Sequence, residues 1–203
     1  MKPTRQANEP VLRLASAQTW WDWLEANHRR SRGILLWIAK KSTTTSPSYD
    51  EALDGALAWG WIDSQKRGLD AEGWLQRFTP RSAQSPWSKR NRSKAEALIA
   101  AGRMQPSGLA EVERARSDGR WERAYDGART SEVPADLGAA LADNEAAAAF
   151  FAALDRANRY AILYRVQTAN QPDTRAQRIA RFVQMCARHE VLHPTGRRVA
   201  AGS

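Results

Sequence analysis

The sequence predicts an α+β fold: a small antiparallel sheet with helices packed on it, followed by a C-terminal helical unit. Three observations carry that prediction. Short apolar or alternating runs of strand character lie within the first eighty residues. All nine tryptophans fall at or before Trp121, and the remainder is alanine-rich. Helix-start signals, by contrast, recur to the end of the chain. The stretch "TSEVP" (130–134) is the expected joint, which divides the chain into an α+β core domain (1–130) and a helical module (131–203). The basic end of that module, "GRRVAAGS", is expected to be a disordered tail.

The elements follow in order. "VLRLAS" alternates well enough for a short strand from Val11, after which Ser16 caps a helix running to about His28 with Trp20, Trp23 and Leu24 on one face. "GILLWIAKK" (33–41) is continuously apolar and short, the pattern of a buried strand. Ser48 and Glu51 form a capping box for a helix whose Leu53, Ala56 and Leu57 face the core and which Gly60 ends. "WIDSQKRG" and "GWLQRFTP" read as two strands joined by a turn around "LDAEG". Ser88 caps the next helix, which stops at Gly102, and Pro106 opens another that stops at Gly119. Beyond the joint, Pro134, Asn144 and Pro172 mark helix starts, with a further helix across 157–169. The last helix sets Ile179, Phe182, Val183 and Cys186 at i, i+3, i+4, i+7, while its arginines take other positions.

Composition narrows the function classes. At 203 residues with a net charge of +9, the chain suits polyanions, anionic surfaces or small acidic ligands. GC-rich coding accounts equally well for much of that charge, since arginine far outnumbers lysine. A single cysteine excludes an intramolecular disulfide and fits a reducing compartment. Three histidines at irregular spacing make no zinc site. The amino terminus has no apolar h-region, and no apolar run approaches the roughly 18 residues a span needs, so a cytoplasmic protein without membrane insertion is expected. GxSxG, Walker A, GxGxxG and HExxH patterns are absent, so no catalytic residue, metal or cofactor is assigned.

One window stands out. From Arg77 to Lys94 there are six basic residues and no acid. A strand puts Arg77, Thr79 and Arg81 on one face. The chain then reaches Trp87 and Ser88, where a helix begins with unpaired N–H groups and a positive dipole end, and Asn91 follows in its first turn. Upstream, "WGWIDSQ" sets Trp61, Asp63 and Gln65 on one strand face, a possible wall and polar anchor. A pocket for a small anionic ligand or an acidic protein segment would draw charge from Arg77 and Arg81, hydrogen bonds from Thr79, Ser88 and Asn91, and apolar walls from Trp61 and Trp87. The plainer alternative pairs Arg77 and Arg81 with acids such as Asp63 or Asp70 and buries the tryptophans in the core. Two other functions stay open. Trp74, Phe78 and Trp87 interleave the basic window as in single-strand nucleic-acid binders. Asp63, if buried, could serve an enzyme as general base. Cys186, on an apolar face, reads as a structural thiol.

Taken together, "YDEALDGALAWGWIDSQ", "LQRFTPR", "WSKRN", "AAGRMQPSGLAEVE" and "DGRW" resemble the bacterial YdeI/OmpD-associated, or bacteriocin-protection, family. The resemblance runs from about Val11 to Glu190. The stretch from Ala157 to Val183 is similar to the family's C-terminal helical module, with Asn170 and Asp173 where Lys and Glu are common, and Ser64 stands where Gly often follows GWID. What the resemblance implies is a role linked to tolerance of bacteriocins or cationic antimicrobial peptides, with no catalytic residues to carry over; a non-enzymatic accessory protein is the preferred expectation, with an enzyme left open.

Overall fold

The computed structural model describes residues 9–40 and 45–194, and the basic tail at 196–203 lies outside them. The chain forms two compact units, Met1–Glu122 and Arg123–Ser203. The first unit runs β1 (Val11–Leu12), α1 (Ala17–Asn27), β2 (Ile34–Ala39), α2 (Tyr49–Ala58), β3 (Trp61–Gly68), β4 (Gly73–Pro80), α3 (Lys89–Ala100) and α4 (Pro106–Ser117). The α+β class holds, with helices alone in the C-terminal region.

The sheet has the order β1-β2-β4-β3. It is mixed: β1 pairs parallel to β2, whereas β2–β4 and β4–β3 are antiparallel. A helix between two neighbouring strands returns the chain to the end where it began, so the β1–α1–β2 crossover requires the parallel pair. Local chemistry sets the helix starts. The Ser16 side chain accepts from Thr19 N–H, Ser48 from Glu51 N–H and Ser88 from Asn91 N–H, each removing one orphan donor of a first turn.

Register decides what each face of the sheet carries. Ile34 lies opposite Phe78, Asp63 opposite Phe78 and Trp61 opposite Pro80. Directly opposed residues point the same way, so Ile34, Phe78, Trp61 and Asp63 share one face. Helices α1 and α2 cover it: the Trp20 ring lies 5.5 Å from Phe78, Trp23 meets Trp61 edge-on at 5.8 Å, and the Tyr49 hydroxyl reaches Asp63. The other face carries Leu35, opposite Arg77, and Trp37, opposite Leu75, with Val11 beside Leu35.

A bulge between Asp63 and Lys66 breaks the alternation of β3, so Gln65 does not continue the Trp61–Asp63 face. The buried Gln76 amide donates to the carbonyls this frees, Ser64 O at 3.2 Å and Gln65 O at 3.4 Å. The "GRMQPSG" motif docks α4 on the end of α2. Gln105 N–H donates to Ala58 O and the Ser107 hydroxyl to Trp59 O. A Cβ at Gly108 would come within 2.8 Å of Leu57 O, so only glycine permits that approach.

The second unit packs α5 (Ala135–Ala142), α6 (Glu145–Ala153), α7 (Arg156–Gln167) and α8 (Pro172–Ala187) around Leu137, Phe151, Ile162, Val166, Phe182 and Cys186. Arg175, from "PDTR", grips Asp136 at the start of α5 through two nitrogens, at 2.5 and 2.9 Å. It also donates to Val166 O near the end of α7 at 2.8 Å, so one side chain joins three helices. Cys186 is fully buried and burial pushes its thiol up, which fits a packing role. No helix among the described residues is long and apolar enough to cross a membrane.

Candidate functional site

On the sheet face away from α1 and α2, a cleft of about 760 Å³ opens at the C-terminal end of β4. Its lining comes from three places in the chain: Glu9 and Pro10, Ser31–Gly33, and Arg77 with Thr79–Ser82. Strand alternation delivers Arg77 and Thr79 to it, and Arg81 continues the same phase just past the strand. Arg32 reaches the lining from the segment ahead of β2, next to Gly33, which lies against Thr79. Gly33 makes room beneath. Its φ is +149°, and a Cβ there would meet the Thr79 methyl at 2.9 Å and Glu9 Oε1 at 3.1 Å.

The electrostatics are specific. Arg77 Nε donates to Glu9 Oε2 at 2.7 Å while Nη2 donates to Oε1, a fork-to-fork pair. Hydrogen bonding to Arg77 holds the Glu9 carboxyl below the ordinary carboxylate range, against the opposing effect of burial. Arg81 is 7 % exposed. Its guanidinium carbon lies 3.5 Å from the Trp87 ring centroid and its Nη1 donates to Pro86 O at 3.3 Å. Trp87 in turn meets Trp121 at 4.9 Å, and Arg120, from "DGRW", donates to Ser85 O at 2.8 Å, fixing the loop that carries Arg81. Among the described residues, three arginines against one glutamate leave the lining two positive charges in excess.

The eight residues singled out from the sequence divide. Arg77, Thr79 and Arg81 come together in the cleft. Trp87 backs Arg81 from the core, being 1 % exposed. Ser88 and Asn91 lie outside the lining, since the Ser88 hydroxyl caps α3 by accepting Asn91 N–H at 3.1 Å. The start of α3 therefore does not face the cleft lining. Two of its basic residues turn to acids of α2 instead, Arg90 to Asp50 and Lys94 to Asp50 and Asp54. Trp61 and Asp63 are on the opposite face of the sheet. Trp61 is core, its indole N–H donating to His28 O at 3.2 Å. Asp63 accepts the Tyr49 hydroxyl at 2.6 Å, and burial, with that hydrogen bond second, pushes the Tyr49 phenol up. Arg77 does pair with an acid, but the acid is Glu9, while Asp70 caps its own turn through Glu72 and Gly73 N–H.

Sequence reasoning missed Glu9, Ser31 and Arg32. A signal for Arg32 was present in "HRRSRG", three arginines directly ahead of a buried strand. Glu9 had none, because 68 positions separate it from Arg77.

Fold and cleft define a class: a two-unit α+β protein whose first unit presents an arginine-lined cleft and whose second is a small helical bundle. The particular family enters through the bundle. Residues 130–189 match the family described as Bacteriocin-protection, YdeI or OmpD-Associated, so the second unit carries that family's domain. Residues 12–111 match a domain of unknown function, and the GWID, RFTPR and WSKRN motifs fall inside that stretch. No curated protein and no solved structure gave a significant match.

Proposed function

We propose that this chain is a cytoplasmic, non-enzymatic accessory protein of bacteriocin or antimicrobial-peptide tolerance that binds a small anionic ligand in the β4 cleft. The observation that carries the reading is the lining itself: Arg32, Arg77 and Arg81 with Thr79, Ser31 and Ser82 around an open volume of small-ligand size. Guanidinium groups on a partly dehydrated wall favour carboxylate or phosphate, and the hydroxyls add hydrogen bonds. In this reading Trp87 positions Arg81, Ser88 and Asn91 hold the start of α3, and Trp61 and Asp63 brace β3 from the other face. The family description supports the tolerance role. Direct capture of cationic peptides is disfavoured, because a chain of charge +9 repels them. A regulatory or metabolic route fits better.

Nucleic acid is less favoured as ligand because the basic window is largely compensated within the fold. Arg77, Arg90 and Lys94 pair with Glu9, Asp50 and Asp54, and Arg92 lies 3.8 Å from Glu96. A base at Asp63 is disfavoured because its Oδ2 already accepts from Tyr49.

The test is a thermal-shift panel of phosphates, nucleotides, carboxylates and short oligonucleotides on wild type and Arg32→Gln. Arg32 is exposed, so its replacement spares the fold, whereas Arg81→Ala would not. A small anion should raise the wild-type melting temperature by a few degrees at about 100 times its Kd, and the variant should lose most of that shift. Shifts from oligonucleotides alone would replace this reading with a nucleic-acid one.

A further inference from the structure

Glu9 is the one acid among the four described charged residues lining the cleft, and it sits on Arg77 as a bound carboxylate would. Both carboxylate oxygens accept from the guanidinium, and the side chain is only 13 % exposed. Among the described residues, the segment that carries it is lightly anchored. β1 pairs with β2 through two residues, Val11 is 52 % exposed, and one further backbone bond, Leu35 N–H to Pro10 O at 3.0 Å, adjoins Glu9.

We propose that the anion this cleft takes is a carboxylate, and that Glu9 is its tethered competitor, releasing the Arg77 fork when the ligand arrives. The proposal rests on the anion-cleft reading above. Its chemistry is a like-for-like exchange. A planar carboxylate can form the two parallel bonds that Glu9 now makes, on a fork already set to a carboxylate's two oxygens. Arg32 lines the same cleft, is exposed and can meet a further carboxylate, so a di- or tricarboxylate gains more than a monocarboxylate. Tethering keeps Glu9 at high effective concentration, so apparent affinity falls by the fraction of molecules in which Arg77 is occupied.

The experiment is calorimetric titration of the full chain with citrate and with inorganic phosphate, on wild type, Glu9→Gln, Glu9→Ala and Arg32→Gln. Both Glu9 variants should bind citrate about tenfold more tightly than wild type. Phosphate should gain less, and Arg32→Gln should weaken both anions. Glu9 precedes the two-residue strand and lies outside both hydrophobic cores, so both variants are expected to fold, which their melting curves check. Equal citrate affinity in wild type and both Glu9 variants, with Arg32→Gln still weaker, overturns the competition and leaves the cleft reading standing. A larger gain for phosphate than for citrate overturns the carboxylate assignment. No binding of either anion by wild type or the Glu9 variants overturns the cleft reading itself.

Discussion

Arg81 illustrates how single residues in this chain do two jobs. Its side chain is buried against the Trp87 face, yet it also lines the cleft. A cation at 3.5 Å from an indole centroid in a desolvated setting contributes about 2 kcal/mol. Its backbone N–H also closes the sheet end by donating to Gly60 O at 3.0 Å, which a substitution would spare. Arg81→Ala is therefore expected to lower unfolding free energy by about 2 kcal/mol in urea melts at unchanged m-value. Arg81→Lys should recover only part of that, because an ammonium stacks poorly on an aromatic face. Full stability in Arg81→Ala would show the stacking to be incidental. At this scale the sequence was readable in type but not in partner. That Arg77, Thr79 and Arg81 share a face followed from strand alternation alone. That Glu9 would meet Arg77 could not follow, since it depends on β1 reaching the far edge of β2.

The elements were the most legible level, and the reason is capping chemistry. Ser16, Ser48, Ser88, Asn144 and the proline starts each mark a helix that forms. The positive-φ glycines Gly60, Gly102 and Gly119 stand just past the ends of α2, α3 and α4. Two features escaped this local reading. The parallel β1–β2 pair comes from topology, and the bulge after Asp63 comes from pairing with β4, where one residue of β4 opposes two of β3. Ser88 was assigned both to a cap and to a ligand site, and the structure uses its hydroxyl for the cap. Ser88→Ala should cost about 1 kcal/mol of stability in chemical denaturation. It should leave affinity for any cleft anion within about twofold, a change below what one lost hydrogen bond produces. A larger affinity loss would return Ser88 to the site.

For the whole molecule, net charge was a weak guide and arrangement a strong one. The +9 charge suggested a basic surface along 77–94, but tertiary pairing sets Arg90 and Lys94 against acids of α2 and Arg77 against Glu9. The cleft draws Arg32 and Arg81 from segments some fifty positions apart that no local pattern joins. The expected pocket combined residues from both faces of the sheet, and a sheet cannot present Trp61 and Arg77 to one ligand. Knowledge of register, not of residue type, separates them. What we propose is a place: an anion held at the end of β4 by residues of the first unit. The most direct measurement is a titration of the ¹⁵N-labelled full chain with citrate, followed by amide chemical shifts. The account predicts saturable shifts concentrated at Ser31–Gly33 and Arg77–Ser82, with the α3 amides from Lys89 to Lys94 unmoved. Shifts centred on α3 or in the helical unit, or none at saturating citrate and phosphate, would contradict it.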